Sequence, residues 1–292
     1  MKQTRIEKFA ILVFLLPALA LYLIFVLYPV FSALLTSMYQ WRGIGNKKWI
    51  GFDNYTKMFT DENFINALMN TGKYILFQVP LTVLVPLFVA LIIANSKSRW
   101  TNFYQGTIFL PHILPGVAIA MLWATIFNPV SGLLNGLLRL VGLDMWATEW
   151  LGRTETAFGS VLWVTVWGAI GFYTVLLLAG VLNISRDLFE AAEIDGANKF
   201  QRSIYIIIPL LRGILKVVVT FTLINALKMF EMPQVLTSGG PNRSTEPVSL
   251  YIYEQAFKNY NFGYASAIGV VFFIIVLLIT LTTQRAMRGE AE

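Results

Sequence analysis

The sequence predicts an all-α integral membrane protein with six transmembrane helices. Hydrophobic residues make up 57% of the 292 residues and charged residues only 13%, and the mean hydropathy is +0.65. This composition is too apolar for a water-soluble domain of the same length. Six apolar segments are each close to, or longer than, the roughly 20 residues that a spanning helix needs. They cover about 10–38, 70–95, 104–127, 157–183, 204–230 and 264–284.

The distribution of positive charge predicts the orientation of these helices. An even number of spans places both termini on one side of the membrane. If that side is the cytoplasm, 12 of the 22 Lys and Arg residues lie inside, including Lys2, Lys97 and Arg99, and the inner loops are also the shorter ones. Positive charge is normally concentrated in cytoplasmic loops. We therefore expect both termini in the cytoplasm, and the net charge of +6 needs no nucleic-acid partner to explain it.

The first apolar segment is predicted to be a retained helix within an N-terminal unit, residues 1–69. Lys2, Arg5 and Lys8 in front of it imitate a signal peptide. The apolar run continues to about Met38, however, which is longer than the hydrophobic region of a signal peptide. The rest of the chain is predicted to form a core domain of five spanning helices and a cytoplasmic tail, residues 70–285 and 286–292.

Prolines interrupt the predicted second and third helices. Pro80 and Pro86 lie in the second, whereas Pro111 and Pro115 lie on either side of His112 in the third. Proline removes a backbone hydrogen bond, which a neighbouring helix or a wet cavity must then satisfy. These prolines either bend the helices around a passage or only shape their packing. His112 is predicted to be an interfacial or packing residue rather than a proton relay.

The fourth predicted helix places two tryptophans on one face. An outer loop precedes it and is expected to hold a short amphipathic helix, Leu133 to Val141. Trp163 and Trp167 then lie four residues apart, and Gly168 and Gly171 would let another helix approach closely. The tryptophans either stack against a bound substrate or pack against lipid and neighbouring helices.

A charged segment, residues 185–209, separates the fourth and fifth helices. Ser185 is a candidate N-cap and Gly196 can end a helix in the left-handed conformation, so a short helix is expected over roughly 186–195. By pattern alone this segment is either an ordinary surface loop or a docking surface whose small residues allow close approach. One face of the expected helix would consist of four residues at the spacing i, i+3, i+4 and i+7. These are Leu188, Ala191, Ala192 and Asp195.

The fifth predicted helix contains polar side chains that must find partners away from lipid. Thr222 and Asn225 are three residues apart and share a face, with Met229 one turn further along. This stripe is the strongest candidate in the sequence for the lining of a passage. Interhelical hydrogen bonding would explain each residue separately.

Several chemistries are excluded by what the sequence lacks. It contains no cysteine and one histidine, which excludes disulfides, thiolate metal sites and multi-histidine clusters. It has no G-x-x-x-x-G-K-[ST] phosphate loop for ATP hydrolysis. The apolar segments hold no paired carboxylates of the kind that ion-coupled carriers often use, and no nucleophile or acid–base pair suits an enzyme. We therefore predict no catalytic residue, no metal site and no cofactor, and we expect a partner to supply the energy for transport.

The segment between the fourth and fifth helices closely resembles the EAA loop of binding-protein-dependent ABC importer permeases. In that family the loop inserts into a cleft of the cytoplasmic ATPase, so the resemblance implies an ATPase-docking role. Ser203 and Gly213 depart from the family pattern, which commonly has an aromatic residue and a second proline there. The residues that carry the resemblance are Glu190, Ala191, Ala192, Asp195, Gly196, Ala197, Ile206 and Pro209.

Three outer segments resemble permeases of carbohydrate ABC importers: Gly51 to Tyr55, Leu236 to Pro241 and Tyr251 to Phe257. They look like the upstream partner of the maltose and glycerol-phosphate importer type. The resemblance implies an ABC type I importer permease fold in the plasma membrane of a bacterium or archaeon. It also implies a second homologous permease, two ATPase subunits and an extracellular solute-binding protein as partners, and a carbohydrate substrate, an oligosaccharide, on which the two tryptophans could stack. A permease for another polar solute, such as glycerol phosphate, and an ATP-independent carrier or channel are the alternatives.

Overall fold

The computed structural model shows a protein made almost entirely of helices. It describes residues 5–96 and 100–288. Lys2, Lys97 and Arg99, which contributed to the predicted orientation, lie outside this part, as do the last four residues of the predicted tail.

The described residues form helices with one small β-hairpin. In chain order the first elements are α1 (Arg5–Tyr22), a π-helical turn (Leu23–Leu27), α2 (Tyr28–Thr36), β1 (Tyr39–Gln40), β2 (Lys48–Trp49), α3 (Asp53–Phe59), α4 (Glu62–Ala94), α5 (Thr101–Ile113), α6 (Gly116–Ile126) and α7 (Leu133–Leu140). They are followed by a 3₁₀ turn (Asp144–Trp146), α8 (Thr154–Leu182), α9 (Arg186–Ile194), α10 (Lys199–Arg202), a π-helical turn (Ser203–Ile207), α11 (Ile208–Leu210), α12 (Arg212–Leu227), α13 (Glu231–Leu236), α14 (Val248–Tyr253), a π-helical turn (Glu254–Lys258) and α15 (Phe262–Arg288).

The number of membrane-spanning segments agrees with the prediction. Two bent helix pairs, α5 with α6 and α10–α11 with α12, are long and apolar enough to cross a membrane only when each pair is counted as one span. With them the described residues provide up to six spans, the predicted number. The four continuous helices that meet the criterion are Val13–Thr36, Glu62–Ala94, Thr154–Leu182 and Phe262–Met287.

The third and fifth predicted spans, 104–127 and 204–230, each consist of two helices that meet at a bend. The third bends by 97° between α5 and α6. Leu114 precedes Pro115 and is extended, with ψ of 142°, because the proline ring disfavours the helical conformation of the preceding residue. The fifth bends by 72° after α11. Pro209 has no N–H for the helical ladder there, and Gly213, a weak helix former, follows the bend.

The chain divides into two compact units by its internal contacts. One consists of the residues up to Asp61 with Ile252–Ile275, and the other of Glu62–Tyr251 with the residues from Val276 onward. The boundary proposed from the sequence, between residues 69 and 70, stays a prediction.

In the first unit a buried asparagine fixes the β-hairpin against α3. The Asn54 side chain donates to the carbonyl oxygens of Ser37 (2.7 Å) and Tyr39 (3.1 Å). The strands pair antiparallel, with Tyr39 opposite Trp49. At the start of α15, the Tyr264 hydroxyl donates to the carboxylate of Asp61 (2.5 Å). These bonds satisfy polar groups that are otherwise withdrawn from water.

The second unit is built around α4 and α8, its two longest helices. Buried apolar side chains from both helices pack together, including Leu87 and Ala90 of α4 and Leu177 and Leu178 of α8. Val218 of α12 joins the same cluster. A second cluster forms around Tyr74 of α4, Ile119 of α6 and the residues Val161, Leu162, Val164 and Val166 of α8. The spanning helices therefore bury one face against each other and leave apolar faces exposed.

Polar residues at the start of α4 hold the loop that precedes α14. Asn70, which is fully buried, donates to the carbonyl oxygens of Arg243 (2.7 Å) and Glu246 (3.1 Å). The Tyr74 hydroxyl donates to the carbonyl oxygen of Thr245 (3.0 Å). Within the loop, Arg243 and Glu246 form an ion pair at 2.7 Å. Side chains of a spanning helix thus hold residues 243–246, which follow the outer segment Leu236 to Pro241.

Close packing of α8 against α5 at Gly171 gives a testable prediction. A Cβ atom at Gly171 would overlap the carbonyl oxygen of Ile108 and lie 2.8 Å from the Cα atom of Phe109. At Gly168 the nearest neighbour would be Ile119 Cδ1 at 3.6 Å, an ordinary contact. Gly171→Ala should lower the free energy of unfolding by about 1 to 3 kcal/mol, the usual cost of overpacking, whereas Gly168→Ala should change it little. Thermal unfolding of both purified variants in one detergent measures this, and equal melting temperatures would contradict it.

Candidate functional site

The predicted docking helix is present as α9, Arg186–Ile194. Ser185 caps its start, since its Oγ accepts from the N–H of Asp187 (3.3 Å). Its end closes through Gly196, which has φ of +75° and donates its N–H to the carbonyl oxygen of Glu193 (3.2 Å). The Ala197 N–H donates to the carbonyl oxygen five residues earlier, at 2.8 Å. These two bonds are typical of a Schellman helix end, which requires a residue at positive φ.

The helix that follows is fixed by its own cap. The Asn198 side chain accepts from the N–H of Gln201 (2.9 Å), and the Gln201 side chain accepts from the N–H of Asn198 (2.9 Å). This reciprocal capping box holds the start of α10 close behind the end of α9. The predicted docking segment therefore begins with two capped helices, α9 and α10, joined by a short turn.

The predicted docking surface is only partly exposed. Glu190, Ala191, Asp195 and Gly196 are exposed. Ala192 is buried inside the chain, at 8% exposure, so the predicted common face is divided between an internal contact and an outer surface. Ala197 and Pro209 are half-buried. Their proposed roles in docking remain predictions.

The predicted passage residues of α12 lie together at a cavity of about 440 Å³. Asn225 is exposed in this chain, and its Nδ2 donates to the Tyr173 hydroxyl of α8 (3.1 Å). Thr222 also lines the cavity, but it is fully buried, and its hydroxyl donates to the carbonyl oxygen of Val219 in its own helix (3.0 Å). Met229 is buried at 6% exposure and closes one end of the stripe. Of the three, Asn225 presents the exposed polar group.

Other polar residues that the sequence analysis missed line the same cavity. They include hydroxyl and amide groups from α4 and α8, and two charged groups after α12. Lys228 and Glu231 flank the end of the fifth apolar segment, a position that could have marked them from the sequence. The Glu231 carboxylate lies against Gly116, the first residue of α6, where a helix dipole favours negative charge. The additional polar lining residues are Gln78, Thr82, Thr165, Tyr173, Lys228 and Glu231.

The two predicted tryptophans are not part of this cavity. Trp163 is 53% exposed and lines a separate cavity of about 470 Å³ with Trp123 and Trp150. Trp167 packs edge-to-face against Trp123, with ring centroids 5.4 Å apart. Trp123 also packs edge-to-face against Trp163, with ring centroids 6.3 Å apart. The Trp123 ring therefore lies between the two predicted tryptophans. A substrate-stacking role for the pair remains a prediction.

His112 does line the Asn225 cavity, where it stacks on a ring of α8. Its imidazole and the Phe172 ring have centroids 4.7 Å apart and an interplanar angle of 26°. Within residues 5–96 and 100–288, no three His, Cys, Asp or Glu side chains come together in a way that could hold a metal ion.

Comparison with known proteins identifies similar chains over nearly the full length. Residues 82–288 match the family described as "Binding-protein-dependent transport system inner membrane component". The probable ABC transporter permease protein YurN of Bacillus subtilis (strain 168) is 37% identical over 281 residues, which cover 96% of each chain. The diacetylchitobiose uptake system permease protein NgcF of Streptomyces coelicolor is 37% identical over 296 residues, which cover 96% of this chain and 84% of NgcF.

The trehalose/maltose transport system permease protein MalF of Thermococcus litoralis is 33% identical, with 95% of this chain and 93% of that one covered. Among solved structures, a chain of a bacterial ABC transporter involved in the import of the acidic polysaccharide alginate superposes with a TM-score of 0.87 at 26% identity. The superposition covers 98% of this chain and 97% of that chain.

Proposed function

The chain belongs to the family of binding-protein-dependent transport system inner membrane components, and we propose that it imports a sugar, an oligosaccharide, delivered by an extracellular solute-binding protein. As a multi-pass permease subunit it forms part of an ABC transporter. Support for the substrate comes from relatives whose names specify diacetylchitobiose or trehalose and maltose. A transporter of similar fold was solved together with a periplasmic protein carrying an alginate pentasaccharide.

The observation in this chain that carries the proposal is the polar lining of the Asn225 cavity. Sugars present many hydroxyl groups that both donate and accept hydrogen bonds. The side chains of Gln78, Thr82, Thr165 and Asn225, which line the cavity, also do both. A second permease subunit would complete the passage, since this chain leaves Asn225 exposed.

Docking of an ATPase on α9 would supply the energy. Two ATPase subunits are proposed to close on ATP binding and to move α9 of each permease as a lever, which switches the passage from inward-facing to outward-facing. ATP hydrolysis then occurs on a separate chain. In this arrangement both termini of the present chain are cytoplasmic, on the same side as α9.

Uptake measurements test the proposal directly. The chain, its partner permease and the ATPase would be reconstituted into vesicles and supplied with the binding protein and labelled diacetylchitobiose, trehalose or maltose. We expect accumulation of at least one sugar only when ATP and the binding protein are both present. Omission of the binding protein and replacement of ATP by a non-hydrolysable analogue are the controls. Equal uptake without ATP would identify a carrier or channel instead.

A further inference from the structure

A third cavity, of about 310 Å³, lies beside the docking helix and combines cationic side chains with an apolar wall. Three of its lining residues are basic: Arg186 at the start of α9, and Lys199 and Arg202 of α10. The apolar part of the lining comes from the ends of α4 and α8, the residues between α8 and α9, α9 itself, and the turn after α10. It consists of Ala94, Val181, Leu182, Ile184, Phe189 and Ile207.

The basic side chains at this cavity have unused hydrogen-bonding capacity. The Nε of Arg202 is buried and has no hydrogen-bond acceptor. The Lys199 ammonium group donates one hydrogen bond, to the carbonyl oxygen of Asn95 (3.1 Å). Among the residues that the structure describes, none of the three basic groups forms an ion pair. A buried donor without an acceptor is rare in folded proteins, and here it indicates an anion that accepts from Arg202.

The ends of two spanning helices form part of the cavity, and this indicates what kind of anion binds there. The cavity lies where two spanning helices end, α4 at Ala94 and α8 at Leu182. The ends of spanning helices lie at the level of the lipid head groups, and basic pockets between such helices bind anionic head groups. The apolar wall would contact the glycerol backbone and the first methylene groups of a lipid. A free phosphate ion would leave that wall without a partner.

We propose that this cavity binds the phosphate group of an anionic phospholipid. The guanidinium of Arg202 donates to the phosphate oxygens through its planar fork of N–H groups, and Arg186 and Lys199 add positive charge at the mouth. The binding requires only the cavity and the membrane, so it stands independently of the proposed sugar transport. Because α9 begins at Arg186, an occupied site would hold the start of the docking helix at the membrane surface.

Native mass spectrometry of the delipidated full-length chain tests this site. Phosphatidylglycerol and, separately, phosphatidylcholine would be added and the bound lipid counted. We expect the wild-type chain to retain phosphatidylglycerol in preference to phosphatidylcholine. Arg202→Gln and Arg186→Gln should each weaken phosphatidylglycerol binding about tenfold, the effect of losing one charge-assisted hydrogen bond.

Arg212→Gln is the matched control. Arg212 is exposed at the start of α12 and carries the same charge, but it does not line the cavity, so its variant should bind like the wild type. If excess inorganic phosphate displaces phosphatidylglycerol, the phosphate group alone is sufficient for binding. If it does not displace the lipid, binding requires the whole lipid. Arg186 is exposed, so its variant should remain folded even if Arg202→Gln does not.

Three results would overturn the proposal. Phosphatidylglycerol binding by well-folded Arg202→Gln and Arg186→Gln could equal that of the wild type, as expected if an acidic side chain of a protein partner occupies the cavity. Phosphatidylcholine could be retained as strongly as phosphatidylglycerol. Finally, Arg212→Gln could lose as much binding as the two cavity variants. Lipid binding would then depend on the net charge of the chain and not on the cavity.

Discussion

Replacing Gly196 by proline should abolish ATP-driven uptake while the chain still inserts into the membrane. Gly196 has φ of +75°, and its N–H closes the end of α9 on Glu193. Proline fixes φ at about −65° and has no N–H, so it cannot end the helix in this way. A misplaced proline costs about 3 kcal/mol or more, which corresponds to a roughly 100-fold smaller population of the docking conformation. Uptake and substrate-stimulated ATPase activity of one vesicle preparation measure the loss.

The end of α7 offers a matched control for this variant. Gly142 has φ of +77°, and its N–H donates to the carbonyl oxygen of Arg139 (3.1 Å). The next residues along the chain, Leu143 after α7 and Ala197 after α9, each donate their N–H to the carbonyl oxygen five residues earlier, at 2.8 Å. Gly142→Pro therefore causes the same backbone damage at a helix that has no proposed docking role. Uptake should persist in Gly142→Pro, and an equal loss in both variants would remove the case for α9 as the docking helix.

The ends of both helices could be predicted because their signals are local. A cap residue at the start and a glycine at the end lie within one turn of the helix that they limit, so Ser185 and Gly196 bounded α9 correctly. The amphipathic helix expected from Leu133 to Val141 is likewise present as α7, one residue shorter. Signals of this kind depend little on the rest of the fold.

The effect of a proline, by contrast, depends on its surroundings. Pro80 and Pro86 lie within the unbroken helix α4, whereas Pro115 begins a bend of 97°. All three lack an N–H, and the sequence does not say whether neighbouring helices compensate for the lost hydrogen bond. The prolines could therefore be identified as candidate bends, but the bent helices could not be separated from the straight one.

The cavity was predicted only in part because its lining comes from several helices. Periodicity relates Thr222 to Asn225 within one helix, but nothing in the spacing relates either residue to Gln78 of α4 or Tyr173 of α8. For the same reason the shared face of the two tryptophans was predicted, but their separation by Trp123 of α6 was not. Contacts between helices depend on crossing angles that are set by packing of the whole unit.

Asn225→Leu should reduce uptake more than it reduces assembly. The Asn225 amide donates to the Tyr173 hydroxyl at 3.1 Å. Its oxygen and second N–H have no hydrogen-bond partner among the described residues, and the side chain is exposed at the cavity. These two groups can bind sugar hydroxyls, at about 0.5 to 1.5 kcal/mol for each bond. Loss of one or both should weaken substrate occupancy roughly 2- to 100-fold.

Tyr173→Phe separates this role from a structural one. It removes the bond between α8 and α12 but leaves the whole amide facing the cavity, and bonds between membrane helices contribute only about 0.6 kcal/mol on average. If the amide serves the substrate, Asn225→Leu loses uptake per assembled complex, whereas Tyr173→Phe changes it less than about threefold, as a bond of that strength implies. Complex yield, basal ATPase activity and uptake would be measured on the same preparations. If both variants instead lower the yield equally and transport normally once assembled, Asn225 joins two helices and does not bind the substrate.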